Sequence, residues 1–298
     1  MKPYFYCVFF SVCLFIINIA QAADIIEKSI QVSANGHVFI KNDRGDVEVI
    51  AWDKDEILVK GELVNNGREL IFKNIGEKTY IKVGIREGSH RGNAHSGGDS
   101  ELKVYVPRNV QLHFKGIDTD FTINGLLAEI TGNTINGDLL IKNVHSNISL
   151  SSISGDINVV DSSGSVSVES MRGDVNIKGK FEEVALQSVA GDIWADISNV
   201  KKLSTNNVAG STTVEGNLID HASVELASVN GDIDYKVDGK LNAKCKLTSQ
   251  FGGEINNNIT ADLPNKSQMQ ARQLEFLSGD GSGSVVMKTV VGTITIDN

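Results

Sequence analysis

Four Gly-Asp pairs, Gly137-Asp138, Gly155-Asp156, Gly173-Asp174 and Gly191-Asp192, follow one another at intervals of 18 residues. If each interval is one turn of a stacked structure, the aspartates form a column at the strand spacing of about 4.8 Å. Neighbouring carboxylates at that separation repel by about 1 kcal/mol in water. Either they splay into solvent or a cation bridges them, and Ca²⁺, with its preference for oxygen ligands, is the ion such a column would take. Asp138, Asp156, Asp174 and Asp192 are therefore the residues with the chemistry for a metal. Against this, Ser211 and Thr293 fill the same slot in other units, which suits a turn hydrogen bond better than a ladder of ions. No metal or other cofactor is expected. Arginine precedes two of the pairs, as Arg44-Gly45-Asp46 and Arg172-Gly173-Asp174, the triplet that integrins read. Across the units that position holds Arg, Asn, Ser or Ala, so arginine reads there as one tolerated exposed residue.

Other reactive side chains are sparse. His90 and His95 share the polar stretch from Gly88 to Gly98, with Asp99 close by; the donor set suits a transition metal, and a solvated loop carries it equally well. His37, His113, His145 and His221 are scattered, no serine sits in a Gly-x-Ser-x-Gly elbow, and no phosphate loop occurs. Cys7 and Cys13 fall in the first 22 residues, leaving Cys245 without an intramolecular partner. Its place in an alternating apolar stretch makes it a buried thiol. Catalysis is not expected. The alternative is a carbohydrate-binding or carbohydrate-active β-helix using the acidic edge, where Trp194 could stack on a sugar. Turns between Asp138 and Gly210 are too short to wall a cleft.

The elements that position these residues follow from the repeat. Each Gly-Asp is trailed by alternating apolar residues, as in Val175-x-Ile177, and led by a second set such as Val184-x-Leu186-x-Ser188-Val189. Period-two alternation indicates strands, and no stretch shows helical spacing. One unit offers about five inward apolar positions, counting the residue after the serine. It cannot bury them alone, so copies must stack around a continuous core. The glycines, Gly137, Gly155, Gly173, Gly191 and Gly231, are the structural corners, where a tight turn demands positive φ. The frame slips at Gly210, Gly231 and Gly253, lapses from Asn256 to Gly283, and returns from Val285 to Ile296. A solitary early copy spans Val38 to Val49, and residues 51–110 read as a strand meander. The fold class is all-β: a β-solenoid or β-helix-like roll of roughly 18-residue units with two main strands per turn. The last strand, Thr293 to Ile296, has no evident cap, so end-to-end or side-by-side self-association is expected as an option.

The 298 residues carry 28 Lys plus Arg against 37 Asp plus Glu, a formal charge of −9, which is the wrong sign for a nucleic-acid footprint. Met1-Lys2, an apolar run from Tyr4 to Ile19 and Ala20-Gln21-Ala22 form a secretory signal with cleavage expected after Ala22. The expected organisation is a signal peptide at 1–22, an N-terminal strand region at 23–110 continuous with the solenoid, and the repeat region at 111–298. After cleavage no integral membrane span remains.

Three segments together carry a resemblance. Gly45-Asp46-Val47-Glu48-Val49 leads into Trp52-Asp53-Lys54-Asp55-Glu56 and a Val59-Lys60-Gly61 strand, Leu102-x-Val104-x-Val106-Pro107 follows, and tandem Gly-Asp-Ile/Val units complete the set. The chain resembles the bacterial adhesin-like family of β-strand repeats, a domain of unknown function, over nearly all of its length after residue 22. The resemblance implies a right-handed β-solenoid at the cell envelope, with no catalytic residues to carry over. The expected function is that of a non-catalytic exported protein, adhesin-like or structural, periplasmic, outer-envelope associated or secreted, with an envelope or surface ligand, protein or glycan, as partner.

Overall fold

The computed structural model describes residues 23–64, 68–85, 99–266 and 271–298. The expected signal at 1–22 and the loop with His90 and His95 lie outside the described residues. Among the described residues the chain forms strands and no helix. The N-terminal strands are β1 (Ala23–Gln31), β2 (His37–Trp52), β3 (Glu56–Val64), β4 (Arg68–Ile75), β5 (Lys78–Ile85), β6 (Ser100–Pro107) and β7 (Gln111–Asn124). Then come β8 (Ile130–Asn136), β9 (Leu139–Lys142), β10 (His145–Ser154), β11 (Ile157–Arg172), β12 (Val175–Ala190), β13 (Ile193–Ala209) and β14 (Thr212–Asn230). The last are β15 (Ile233–Val237), β16 (Ala243–Ser249), β17 (Ile255–Asn257), β18 (Asn265–Lys266), β19 (Arg272–Ser278), β20 (Gly283–Val291) and β21 (Ile294–Asp297).

Each long strand is one turn of a solenoid. β12 starts after one glycine corner and ends at the next, and between Lys180 and Glu183 its register against β13 shifts where the chain bends. Its first half pairs in parallel with the first halves of its neighbours, Ile157 to Val175 to Ile193, and its second half likewise, Val166 to Val184 to Leu203. The result is two parallel ladders around one core. β12 buries Val175, Ile177, Phe181, Val184, Leu186 and Ser188, and each large side chain so buried contributes about 1.5–3 kcal/mol. Slipped units add length without breaking the stack: the corner contact that spans 18 residues from Asp174 to Asp192 spans 19 from Asp192 to Ser211.

In strand facing and strand order the structure departs from the sequence reading in two places. The apolar residue after the serine faces solvent, not the core: Met171, Val189 and Val229 are exposed, whereas Ser170, Ser188 and Ser228 point inward. Alternation explains this, because Val184, Leu186 and Ser188 share one parity and Val189 has the other. The C-terminal copy of the repeat and β2 are also internal to the stack. β20 lies between β14 and β16, and β21 between β15 and β17, all in parallel. The C-terminal strands are thus an internal turn, with β16, β17 and the antiparallel β19 outside them. At the other end β2 is likewise enclosed, between β5 and β6 on one side and β7 on the other, and antiparallel β4, β3 and β1 lie beyond. The last strand is therefore not an edge; among the described residues the strands paired on one side alone are β1, β4, β17 and β18.

Candidate functional site

The glycine corners stack directly on one another. Gly137, Gly155, Gly173 and Gly191 have φ of 120°, 117°, 113° and 140°, values that side chains rarely adopt. Gly231 differs from the expectation: its φ is outside the left-handed region, and glycine is needed there because a Cβ would meet the Gly210 carbonyl oxygen at 1.9 Å.

Beside the glycines, each aspartate accepts a hydrogen bond from the backbone of the next turn. The N–H groups of Asp138, Asp156, Asp174 and Asp192 donate at 2.8 Å to Oδ1 of Asp120, Asp138, Asp156 and Asp174 respectively. Ser211 donates to Asp192 at 2.8 Å and Thr293 to Asp232 at 2.7 Å. One oxygen of every carboxylate is thereby committed to the backbone. This accounts for Ser211 and Thr293 in the slot, since the residue there must always donate N–H but need not accept. At the N-terminal end of the column, burial first, then Asp120, Glu101 and Asp99, raise the Asp46 carboxyl above its usual range.

The arginine triplets sit at corners. Arg44 reaches sideways to Asp118 at 3.0 Å. Buried Ser100 and Asn42 hold the Arg44 carbonyl from beneath, at 2.6 and 3.0 Å. Asn136 at 2.8 Å and Arg44 together hold the Asp118 carboxyl below its ordinary range. Arg172 and Asp174 are exposed. Cys245 is buried, and burial pushes its thiol up to about 12, far from the thiolate a nucleophile needs. Trp194 is half-buried on the outward side of β13, between Asn176 and Thr213. Among the described residues no three His, Cys, Asp or Glu side chains converge to hold a metal.

Two surface features were missed. Ile117, Ile135, Ile153, Met171, Val189, Val208 and Val229 occupy equivalent positions in successive turns, with exposures from 39% at Ile117 to 52% at Met171. Their register makes a continuous apolar ridge beside the aspartate column. Its signal was the parity of the serine. The second is a trough of about 580 Å³ on the outward side of the second-half ladder, floored by Ser149, Ser167, Ala185 and Ser204.

The sequence pattern of the Toastrack DUF4097 family matches residues 35–297. The chain belongs to that family. This Toastrack chain is similar to solved structures of a candidate adhesin from Bacteroides fragilis (16% identity, 93% and 98% of the two chains covered, TM-score 0.47). It is also similar to a candidate lipid-binding protein from Parabacteroides distasonis (13%, 92% and 96%, TM-score 0.47). A third is a candidate adhesin from Parabacteroides merdae (11%, 92% and 96%, TM-score 0.44). No curated protein matches the Toastrack chain.

Proposed function

We propose that this Toastrack chain is an exported, non-catalytic, adhesin-like binding protein of the cell envelope, whose work is to present a repeated surface to a protein or glycan. The observation that carries the reading is the apolar ridge. Seven consecutive turns each place an aliphatic side chain outside a core that had room for it only at the other parity, and contiguous exposed apolar surface marks interaction sites. Export rests on residues 1–22, and residence in the periplasm, at the outer envelope or outside the cell all agree with it. Residues 23–110 and 111–298 then act as one continuous unit. No helix among the described residues is long and apolar enough to cross a membrane. Carbohydrate binding is the second reading, and the hydroxyl-floored trough favours it; the acidic edge does not, because its carboxylates are held by the backbone.

The test is cell fractionation with a C-terminal epitope, scored for antibody access on intact and lysed cells. Recovery with the envelope or medium, reduced by Ile153→Lys, Val189→Lys and Val208→Lys together, is the expected result. Cytosolic residence of the wild-type chain overturns the reading.

A further inference from the structure

The N-terminal third of the second-half ladder carries, on its outward side, two parallel rows of unlike chemistry. In the first row Tyr80, Phe39 and His113 are direct neighbours on β5, β2 and β7. Their rings stack, with centroids 5.2 Å apart for Phe39 and Tyr80 and 4.9 Å for Phe39 and His113. Lys73 closes the row, its ammonium 5.9 Å from the Tyr80 ring centre. Burial first, then His37, hold His113 below the ordinary imidazole range, so it joins the stack as a neutral ring. Because the rings face one another, their electropositive edges point outward. Two residues along, Lys82, Lys41 and Lys115 form the second row, again direct neighbours. Like charges placed opposite each other across strands are destabilising, yet this acidic chain sets three in line. Asp43 lies 3.6 Å from Lys41; Lys82 and Lys115 have no carboxylate within salt-bridge distance among the described residues. Between the rows is a cleft of about 400 Å³, closed at its end by Ile71.

Both rows continue down the same face as hydroxyls and amides. His113 is followed by Thr131, Ser149 and Ser167, and Lys115 by Asn133 and Ser151. Along its strand register the second row meets its first carboxylate only at Glu169; Asp43 beside Lys41 and Glu129 near His113 are carboxylates next to the rows.

We infer that this face binds a linear acidic polysaccharide lying along the solenoid axis, its carboxylates on the Lys82, Lys41 and Lys115 row and its hydroxyls on the Ser, Thr and Asn track. The inference rests on the reading of the chain as a non-catalytic binding protein and names its ligand class. Ammonium groups and ring edges favour anions, lysine stems and rings offer apolar walls to sugar C–H groups, and the hydroxyl track supplies donors and acceptors over several turns. The track gives an acyl chain no apolar floor.

The test is equilibrium binding of the full chain to galacturonate, alginate and hyaluronate oligomers, with methyl-esterified galacturonate as the uncharged counterpart and polyaspartate as a charged chain without sugar rings. At least one uronate should bind, more weakly as salt rises. Binding should weaken about tenfold or more for the ester, for polyaspartate, for Lys82→Gln with Lys41→Gln and Lys115→Gln, and for Phe39→Ala with Tyr80→Ala. All five positions are on the surface, and unchanged circular dichroism checks the fold. No uronate binding, equal binding of polyaspartate, or binding indifferent to both variants overturns the inference. The fractionation experiment separates the two claims: a wild-type chain found with the envelope but blind to every uronate loses this ligand class alone, and a cytosolic one loses both.

Discussion

At the scale of single residues, the Gly-Asp pair divides its work unequally. A Cβ on Gly173 would lie 2.3 Å from the Gly155 carbonyl oxygen at a φ of 113°, combining backbone strain with a clash against a rigid neighbour. Gly173→Val should lower the unfolding free energy by about 3 kcal/mol or more in urea titration. Asp174→Asn keeps an Oδ1 to accept the Asp192 N–H and should cost less than about 0.5 kcal/mol; equal losses would refute the corner mechanism. Asp46 tests the charge in the column. Its carboxyl is raised, so the folded state holds a proton more tightly than the unfolded chain, and stability is lost as pH rises through the unfolded and then the folded value. Asp46→Asn should therefore stabilise at pH 7, by less than about 1 kcal/mol because solvent screens an exposed group. In melts at different pH that gain should vanish below the ordinary carboxylate range. Cys245, with its thiol pushed up to about 12 by burial, should resist a disulfide reagent in the native chain and react in denaturant; rapid native labelling would contradict the packing.

At the scale of the element, one strand carries both the core and the ridge, and their costs differ. Val184 and Val189 lie on β12, buried and exposed respectively. Val184→Lys should cost about 3 kcal/mol or more by burying a charge. Val189→Lys should stay within about 0.5 kcal/mol; chemical denaturation of the two variants distinguishes them, and equal costs would place Val189 in the core after all. The 18-residue spacing, the strands and the corners were legible because they are local: glycine marks φ, and alternation marks the buried face. Val189 carried an equally local signal, the parity of Ser188, which apolar character alone overrode. Gly231 looks in sequence like the other corners and meets the preceding turn's backbone as they do, and only its φ, outside the left-handed region, sets it apart. The aromatic and lysine rows were illegible, because Tyr80, Phe39 and His113 become neighbours only when β2 is enclosed between β5 and β7.

At the scale of the whole molecule, the position of the C-terminal strands decides how the chain folds. Val285 to Ile296 repeats the unit frame, so in sequence it reads as one more turn added at an open end, where a quasi-one-dimensional stack would lose little beyond that turn. In the structure it fills the gap between β14–β15 and β16–β17. Val285, Met287, Ile294 and Ile296 are fully buried there. At about 1.5–3 kcal/mol per side chain their loss is comparable with the roughly 5–15 kcal/mol that holds a typical domain together. It would also strip cover from β15 and β16 on either side. A chain ending at Ser282 should therefore melt far below the full chain and be cut readily by protease within β14–β17. Removal of β1, which among the described residues takes only Ile26 from the buried core, should cost much less. A peptide of residues 283–298 supplied in trans should restore protection to the truncated chain, because its slot is formed by strands already synthesised. Protease resistance of the truncated chain equal to that of the full protein would mean that the stack closes without its last turn. The expected sensitivity means instead that the solenoid is completed only when Val285 to Ile296 have been made, which holds its C-terminal ladder open until then.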